Sequence, residues 1–173
     1  MRDEFGGLDL LVNNALPGYE NKPALETDWA DVEDQIGASV RAPLDLCRAC
    51  FASLKERGGA IVNIVSQVVE DTPPQQMLDY VIGKYGLLGL TCALAAEWAG
   101  DGVRVNGVAP SLVETDMTSH VKDRVLKLEA NRTPLRRLAT PDDVAAAVSY
   151  LGGPQAAFVT GLVLPVTGGQ VMK

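Results

Sequence analysis

Gly59-Ala-Ile-Val-Asn-Ile-Val-Ser66 and, beyond the loop Asp71-Thr-Pro-Pro74, Leu78-Asp-Tyr-Val-Ile-Gly-Lys-Tyr-Gly-Leu-Leu-Gly-Leu90 decide the fold. The first segment is a short, nearly unbroken apolar run after two glycines, the pattern of a parallel strand buried on both faces. The second opens a long apolar helix, Leu78 to Ala99, which Gly100-Asp-Gly102 ends. Working outward, Leu8 to Asn13, Val103 to Val108 and Leu162 to Val166 read as further strands. Thr27 or Asp28 N-caps a helix beginning at Trp29, and another runs from about Val40 to Glu56 and stops at Gly58-Gly59. Glu114 to Glu129 carries a polar helical stretch. Pro141, at the first position after a Thr140 cap, opens a helix to about Leu151. Strand and helix alternate, which predicts an α/β fold with a parallel, right-handed doubly wound sheet. With no repeat, low-complexity tract or linker, residues 1–173 are expected to form a single domain.

The same two segments carry chemistry. Tyr80 and Lys84 stand four residues apart, so on a helix they share a face. A free phenol has a pKa near 10, and a fixed cation within roughly 4 to 6 Å favours the phenolate. Ser66, at the end of the strand, can hydrogen-bond a substrate carbonyl oxygen where alkoxide charge develops. Ser66, Tyr80 and Lys84 therefore suit reduction of a ketone or its reverse. The structural alternative for Ser66 is a strand-end hydroxyl bonded to its own loop backbone.

Composition bounds the partners. A formal charge of −7 without any Lys/Arg block argues against a nucleic-acid surface. Hydrophobic content of 47% and charge of 21% fit a soluble globular domain. The longest uncharged stretch, Val144 to Met172, is interrupted by Gly152-Gly153-Pro154, Pro165 and Gly168-Gly169, so it reads as helix, turn and strand rather than a membrane span. No N-terminal segment has the form of a signal peptide, and a cytoplasmic location is expected. Cys47, Cys50 and Cys92 fit a reducing compartment. Cys47-Arg-Ala-Cys50 has the form of a redox or zinc pair, but it lies within a helical apolar pattern and lacks a second half-site, so no metal is expected. Small molecules or other proteins remain as partners.

Five blocks follow one another in order: Leu8-Asp-Leu-Leu-Val-Asn-Asn-Ala15, Ile61-Val-Asn-Ile-Val-Ser66, the Tyr80/Lys84 pair, Val103-Arg-Val-Asn-Gly-Val-Ala-Pro110 and Thr160-Gly-Leu-Val-Leu-Pro-Val-Thr-Gly-Gly169. Together they resemble the short-chain dehydrogenase/reductase family, most nearly its 3-oxoacyl carrier-protein reductase-like members, from about residue 5 to the C-terminus. The resemblance implies a partial Rossmann-like sheet, the C-terminal four strands with flanking helices. It also implies an oxidoreductase that moves hydride between NADP or NAD and a ketone or secondary alcohol, a 3-oxoacyl thioester among the candidates. In family terms Tyr80 is the general acid/base, Lys84 lowers its pKa and holds the nicotinamide ribose, and Ser66 orients the carbonyl. Ser39 stands 27 residues before Ser66, where the family's asparagine completes the catalytic set. Asn14 matches a residue near the adenosine. Val113 and Thr115 match nicotinamide contacts, with a loop anchor as the alternative for Thr115.

Departures accompany the likeness. Leu16, Ser111 and Thr167 replace the family's usual glycine, glycine and aspartate, and no Gly-x-x-x-Gly-x-Gly or Gly-x-Gly-x-x-Gly occurs. That phosphate-binding turn is expected to belong to βα units preceding this segment, Met1 to Gly7 reading as the tail of a helix, so a truncated form is expected and the choice between NAD and NADP is not legible. Leu8 to Asn13 is then expected to present an unpaired parallel edge. Substrate determinants are expected within Thr115 to Arg137, where His120, the lone histidine, reads as a solvated surface residue or a substrate contact. The alternative function is a non-catalytic assembly subunit using the helices Val40 to Glu56 and Leu78 to Ala99. Either way the expected partner is a homo-oligomer or a chain supplying the missing half.

Overall fold

The computed structural model describes residues 4, 6–18, 20–115, 118 and 121–172. Four strands, β1 (Leu10–Asn13), β2 (Ala60–Ile64), β3 (Arg104–Pro110) and β4 (Val163–Val166), form one parallel sheet in sequence order. Leu11 pairs with Ile61, Ile61 with Val105, and Val108 with Leu164. Among the described residues, the helices that build the fold are α1 (Trp29–Ile36), α2 (Ala42–Arg57), α3 (Leu78–Trp98), α4 (Asp123–Arg132) and α5 (Pro141–Gly152).

Local chemistry fixes the helix ends. Asp28 accepts from the Asp31 amide at 3.0 Å while Asp31 accepts from the Asp28 amide at 3.2 Å, a reciprocal capping box that starts α1. Thr140 and Asp143 repeat it ahead of Pro141 on α5. Gly58 ends α2 in the left-handed conformation, φ 61°, which favours glycine.

Side chains alternate across the strands and build a core on each face. Ile61 and Val105 pack with Cys47 and Leu54 of α2 and Leu94 and Trp98 of α3. Val62 and Val108 pack on the opposite side with Ala147 and Leu151 of α5. The connection β2–α3–β3 thus covers one face and β3–α4–α5–β4 the other, while both advance in the same direction across the sheet. Two such crossovers have opposite hands, so the uniformly right-handed winding expected from the alternation fails at one of them.

A buried polar ladder ties the layers. The Thr91 hydroxyl donates to the Leu87 carbonyl at 2.7 Å, Asn63 Nδ2 donates to Thr91 Oγ1 at 2.8 Å, and Asn13 Nδ2 donates to Asn63 Oδ1 at 2.7 Å. Asn13 Nδ2 also reaches Cys47 Sγ at 3.5 Å. Cys47 is fully buried and burial pushes its thiol up to about 11, which makes it a core residue rather than a reactive one.

Two expectations are corrected. The helix expected from Val40 begins at Ala42, after a π-helical turn, Gly37–Arg41, that follows α1 directly. The helix expected over Glu114 to Glu129 is confined to Asp123–Arg132 among the described residues. The Thr118 hydroxyl lies 2.9 Å from the carbonyls of both Val113 and Thr115, folding that stretch into a turn instead. Parts of residues 1–7, and His120, lie outside the described residues.

By length and composition, Leu78–Asp101 is apolar enough to cross a membrane. Here it is the helix whose inner side packs on the sheet.

Candidate active site

β2 ends at Ile64, and two residues later Ser66 caps a short 3₁₀ turn, Gln67–Val69. Its Oγ accepts from the Val68 amide at 3.4 Å, so the strand-end reading holds, and the hydroxyl proton stays available for a second bond. Ser66 is buried yet lines an open cleft of about 700 Å³ at the carboxyl ends of the strands. Tyr80, in the first turn of α3, lines the same cleft. Met77, Leu112, Val121 and Val125 make its apolar wall, and Gln67, Ser111 and Gln170 add polar groups.

One helical turn beyond Tyr80, Lys84 is 4% exposed. Its Nζ donates to the Ile64 carbonyl at 2.8 Å and lies 5.7 Å from the centroid of the Tyr80 ring. Desolvation lowers the ammonium pKa from 10.5 to about 8. A cation next to a phenol, with two N–H groups beyond the one given to Ile64, has the donor set for ribose hydroxyls.

Behind Lys84 lies a smaller cavity of about 90 Å³, which Ser39, Asn14 and Asn13 also line. Ser39 is buried in the π-helical turn, a departure from α-helix that recurs at functional sites. A Cβ built on Gly83 would lie 3.2 Å from Ser39 Oγ and 3.2 Å from the Gln35 carbonyl, so the missing side chain at 83 lets the turn close on α3 beside Lys84.

The structure thus groups Ser66 with Tyr80 in the large cleft, and Lys84 with Ser39 and Asn14 behind it. Val113 and Thr115 do not line either space. Val113 forms a parallel bridge with Ala139, and the Thr115 amide donates to Thr118 Oγ1 at 3.0 Å. Thr118 is the anchor of that loop. Sequence reasoning passed over Gln67 and Gln170, although their places were signalled: one directly follows Ser66 and the other directly follows Gly168-Gly169.

The family model described as enoyl-(acyl carrier protein) reductase matches residues 1–170. The chain is 38% identical to the 3-oxoacyl-[acyl-carrier-protein] reductase FabG of Vibrio cholerae, over 98% of its own length and 69% of the relative's. It is 36% identical to the acetoacetyl-CoA reductase of Allochromatium vinosum, over 98% and 69%. The solved structure of a short-chain dehydrogenase/reductase of Brucella melitensis, named as a glucose/ribitol dehydrogenase, superposes with a TM-score of 0.91 at 34% identity, covering 99% of this chain and 69% of that one. The chain spans a little over two thirds of these proteins.

Proposed function

We propose, because the chain belongs to the short-chain dehydrogenase/reductase family, that it carries the proton-transfer half of a nicotinamide-dependent oxidoreductase acting on a ketone or secondary alcohol. In this reading residues 1–173 form one unit, the C-terminal part of a Rossmann-like domain. The single observation that carries it is Tyr80 and Ser66 lining one cleft with the Lys84 ammonium 5.7 Å from the Tyr80 ring.

NAD or NADP supplies the hydride when bound. Ser66 holds the carbonyl oxygen, and Tyr80 gives its hydroxyl proton to that oxygen as charge develops. Lys84 favours the phenolate that remains and offers its two other N–H groups to ribose. Ser39 lies where it can hold water in the 90 Å³ cavity behind Lys84, a space large enough for such a molecule. Asn14 lines that cavity and is retained on resemblance as an adenosine-side contact, and Val113 and Thr115 as nicotinamide contacts. The 3-oxoacyl thioesters of the relatives are the first substrates to try, and a soluble homo-oligomer in the cytosol is the expected working form.

The test is Tyr80→Phe. In an assembly that supplies the glycine-rich phosphate-binding turn, turnover with a 3-oxoacyl thioester and NADPH or NADH should fall by about 10²- to 10⁴-fold, the usual worth of a positioned proton donor, while the urea midpoint of the 173-residue polypeptide moves little. A variant that keeps most of its rate removes Tyr80 from the mechanism.

A further inference from the structure

A second cavity, of about 450 Å³, lies beside the active-site cleft and shares none of its lining residues. Asn21 lines the cleft and Lys22 the cavity, and the Lys22 amide donates to the Gln76 carbonyl at 3.0 Å just ahead of α3. Four acidic side chains stand around the cavity, Glu20, Asp31, Asp34 and Asp79, against one ammonium, that of Lys22. Lys22 Nζ is engaged by Asp31, 2.8 and 3.0 Å from its two oxygens, and Asp31 also closes the capping box of α1. Glu20 adds only a longer-range attraction to the same ammonium. Asp34 and Asp79 are left with no cation of their own among the described residues.

Asp79 distinguishes this cavity from an ordinary acidic surface. It is only 8% exposed, yet its side chain makes no hydrogen bond or ion pair. The first turn of a helix favours negative charge, but no amide of α3 is bonded to this carboxyl group, and Met77 precedes the helix without a side-chain cap. Among the described residues, the side-chain atoms sealed from solvent without a partner belong to Asn13, Gln35, Gln67 and Gln170. Asp79 is not one of them, so its unpaired oxygens touch open space, and the space that Asp79 lines is this cavity. Gln35 lines it too, but its oxygen is sealed and takes no part. A carboxylate largely withdrawn from water and given no donor is costly to keep unless a further group completes it.

We propose that this cavity binds an organic cation, a primary ammonium or guanidinium group that donates hydrogen bonds to the Asp79 carboxylate, with the exposed Asp34 and Glu20 at its mouth. Such a group brings the several N–H donors that Asp79 lacks, and a charge-assisted bond of this kind is the strong one. A chelated metal ion does not fit, because among the described residues no three His, Cys, Asp or Glu side chains come together closely enough to hold one. The inference stands apart from the oxidoreductase reading, since Ser66 and Tyr80 line the other space.

Calorimetry on the whole chain in low-salt buffer, where screening is weak, would titrate agmatine, which carries both a guanidinium and an ammonium group, and the doubly capped amides of arginine and lysine, with magnesium chloride as the metal control. At least one organic probe should saturate a single site. Binding of agmatine alone assigns a free cation, whereas equal or tighter binding of a capped amino acid assigns a basic side chain of a partner protein. Asp79→Asn should weaken the binding by about 10- to 100-fold, the worth of a hydrogen bond to a charged group. Asp45→Asn, at an exposed acid of α2 that does not line the cavity, should leave it unchanged. Without any probe, Asp79→Asn should melt at the same or a higher temperature, because it removes a charge that the fold leaves unpaired. A clearly lower melting temperature, failure to fold included, would make Asp79 a structural residue and overturn the inference. So would the absence of saturable binding by any organic probe up to about 10 mM, wild-type affinity in Asp79→Asn, an equal loss in Asp45→Asn, or saturation by magnesium that displaces the organic probes.

Discussion

Burial strips water from the Lys84 ammonium, and its hydrogen bond goes to the uncharged Ile64 carbonyl. Its pKa falls from 10.5 to about 8 through desolvation. The folded state therefore binds this proton less tightly than the unfolded chain does. Below pH 8 both states are protonated and the full penalty, about 3 kcal/mol, weighs against folding. Between pH 8 and 10.5 the unfolded chain holds more protons, so this contribution to stability improves as pH rises and the penalty is gone above 10.5. Lys84→Met removes the penalty together with a hydrogen bond worth about 1 kcal/mol. It should be about 2 kcal/mol more stable than wild type at pH 7, with the difference vanishing as pH approaches 10 and reversing by up to about 1 kcal/mol above 10.5, and should lose turnover. Urea unfolding at the two pH values reads this directly; a variant no more stable at pH 7 would mean that Lys84 is solvated or paired.

At the scale of elements, the site depends on how closely the π-helical turn approaches α3. Gly83 and Gly86 stand three residues apart on that helix, and a Cβ on Gly86 would lie 2.6 Å from Val40 Cγ2. Gly83→Val has to push against the Gln35 carbonyl and Ser39, at a cost of about 1–3 kcal/mol for overpacking, and to move Ser39 away from Lys84. Gly89→Ala, with nothing within 4 Å, should be neutral or stabilising by up to about 1 kcal/mol. Thermal unfolding of the pair checks this, and equal shifts would refute the close approach. These elements also show what the sequence could disclose. β2 and α3 were legible because an apolar run, glycine stops and a long helical span are local signals, and Asp28 and Thr140 announced their helices through capping chemistry. The π-helical turn has no side-chain period of its own, so Val40 and Arg41 read as ordinary helix. The turn around Thr118 defeats the polar helical pattern by drawing its hydroxyl onto two carbonyls. Ser66, Tyr80 and Lys84 are picked out by spacing taken together with family resemblance, whereas Gln67 and Gln170 come together only through a cleft that no spacing reveals.

For the whole molecule the decisive feature is how the sheet and its helices meet solvent. β1 is an edge strand bonded to β2, with Val12 40% exposed, and Leu46, Ile82 and Tyr85 are exposed apolar residues on α2 and α3. Such surfaces favour association, so the polypeptide should sediment above its monomer mass of 18.3 kDa. Cofactor binding puts a stricter demand on the same polypeptide. In the proposed reading Lys84 and Tyr80 meet the nicotinamide end of a dinucleotide and Asn14 alone its adenosine side, whereas pyrophosphate affinity in such folds comes from a glycine turn opening a helix whose N–H groups face the phosphates. The 173 residues contain no glycine pattern of that kind. Contacts at one end of a long, flexible ligand leave most of its ordering cost uncompensated. The 173-residue polypeptide by itself should accordingly show no saturable change in NADH or NADPH fluorescence, however it associates. Micromolar binding to either would mean that another surface of this chain holds the phosphates, and the dependence of that affinity on salt would then locate it.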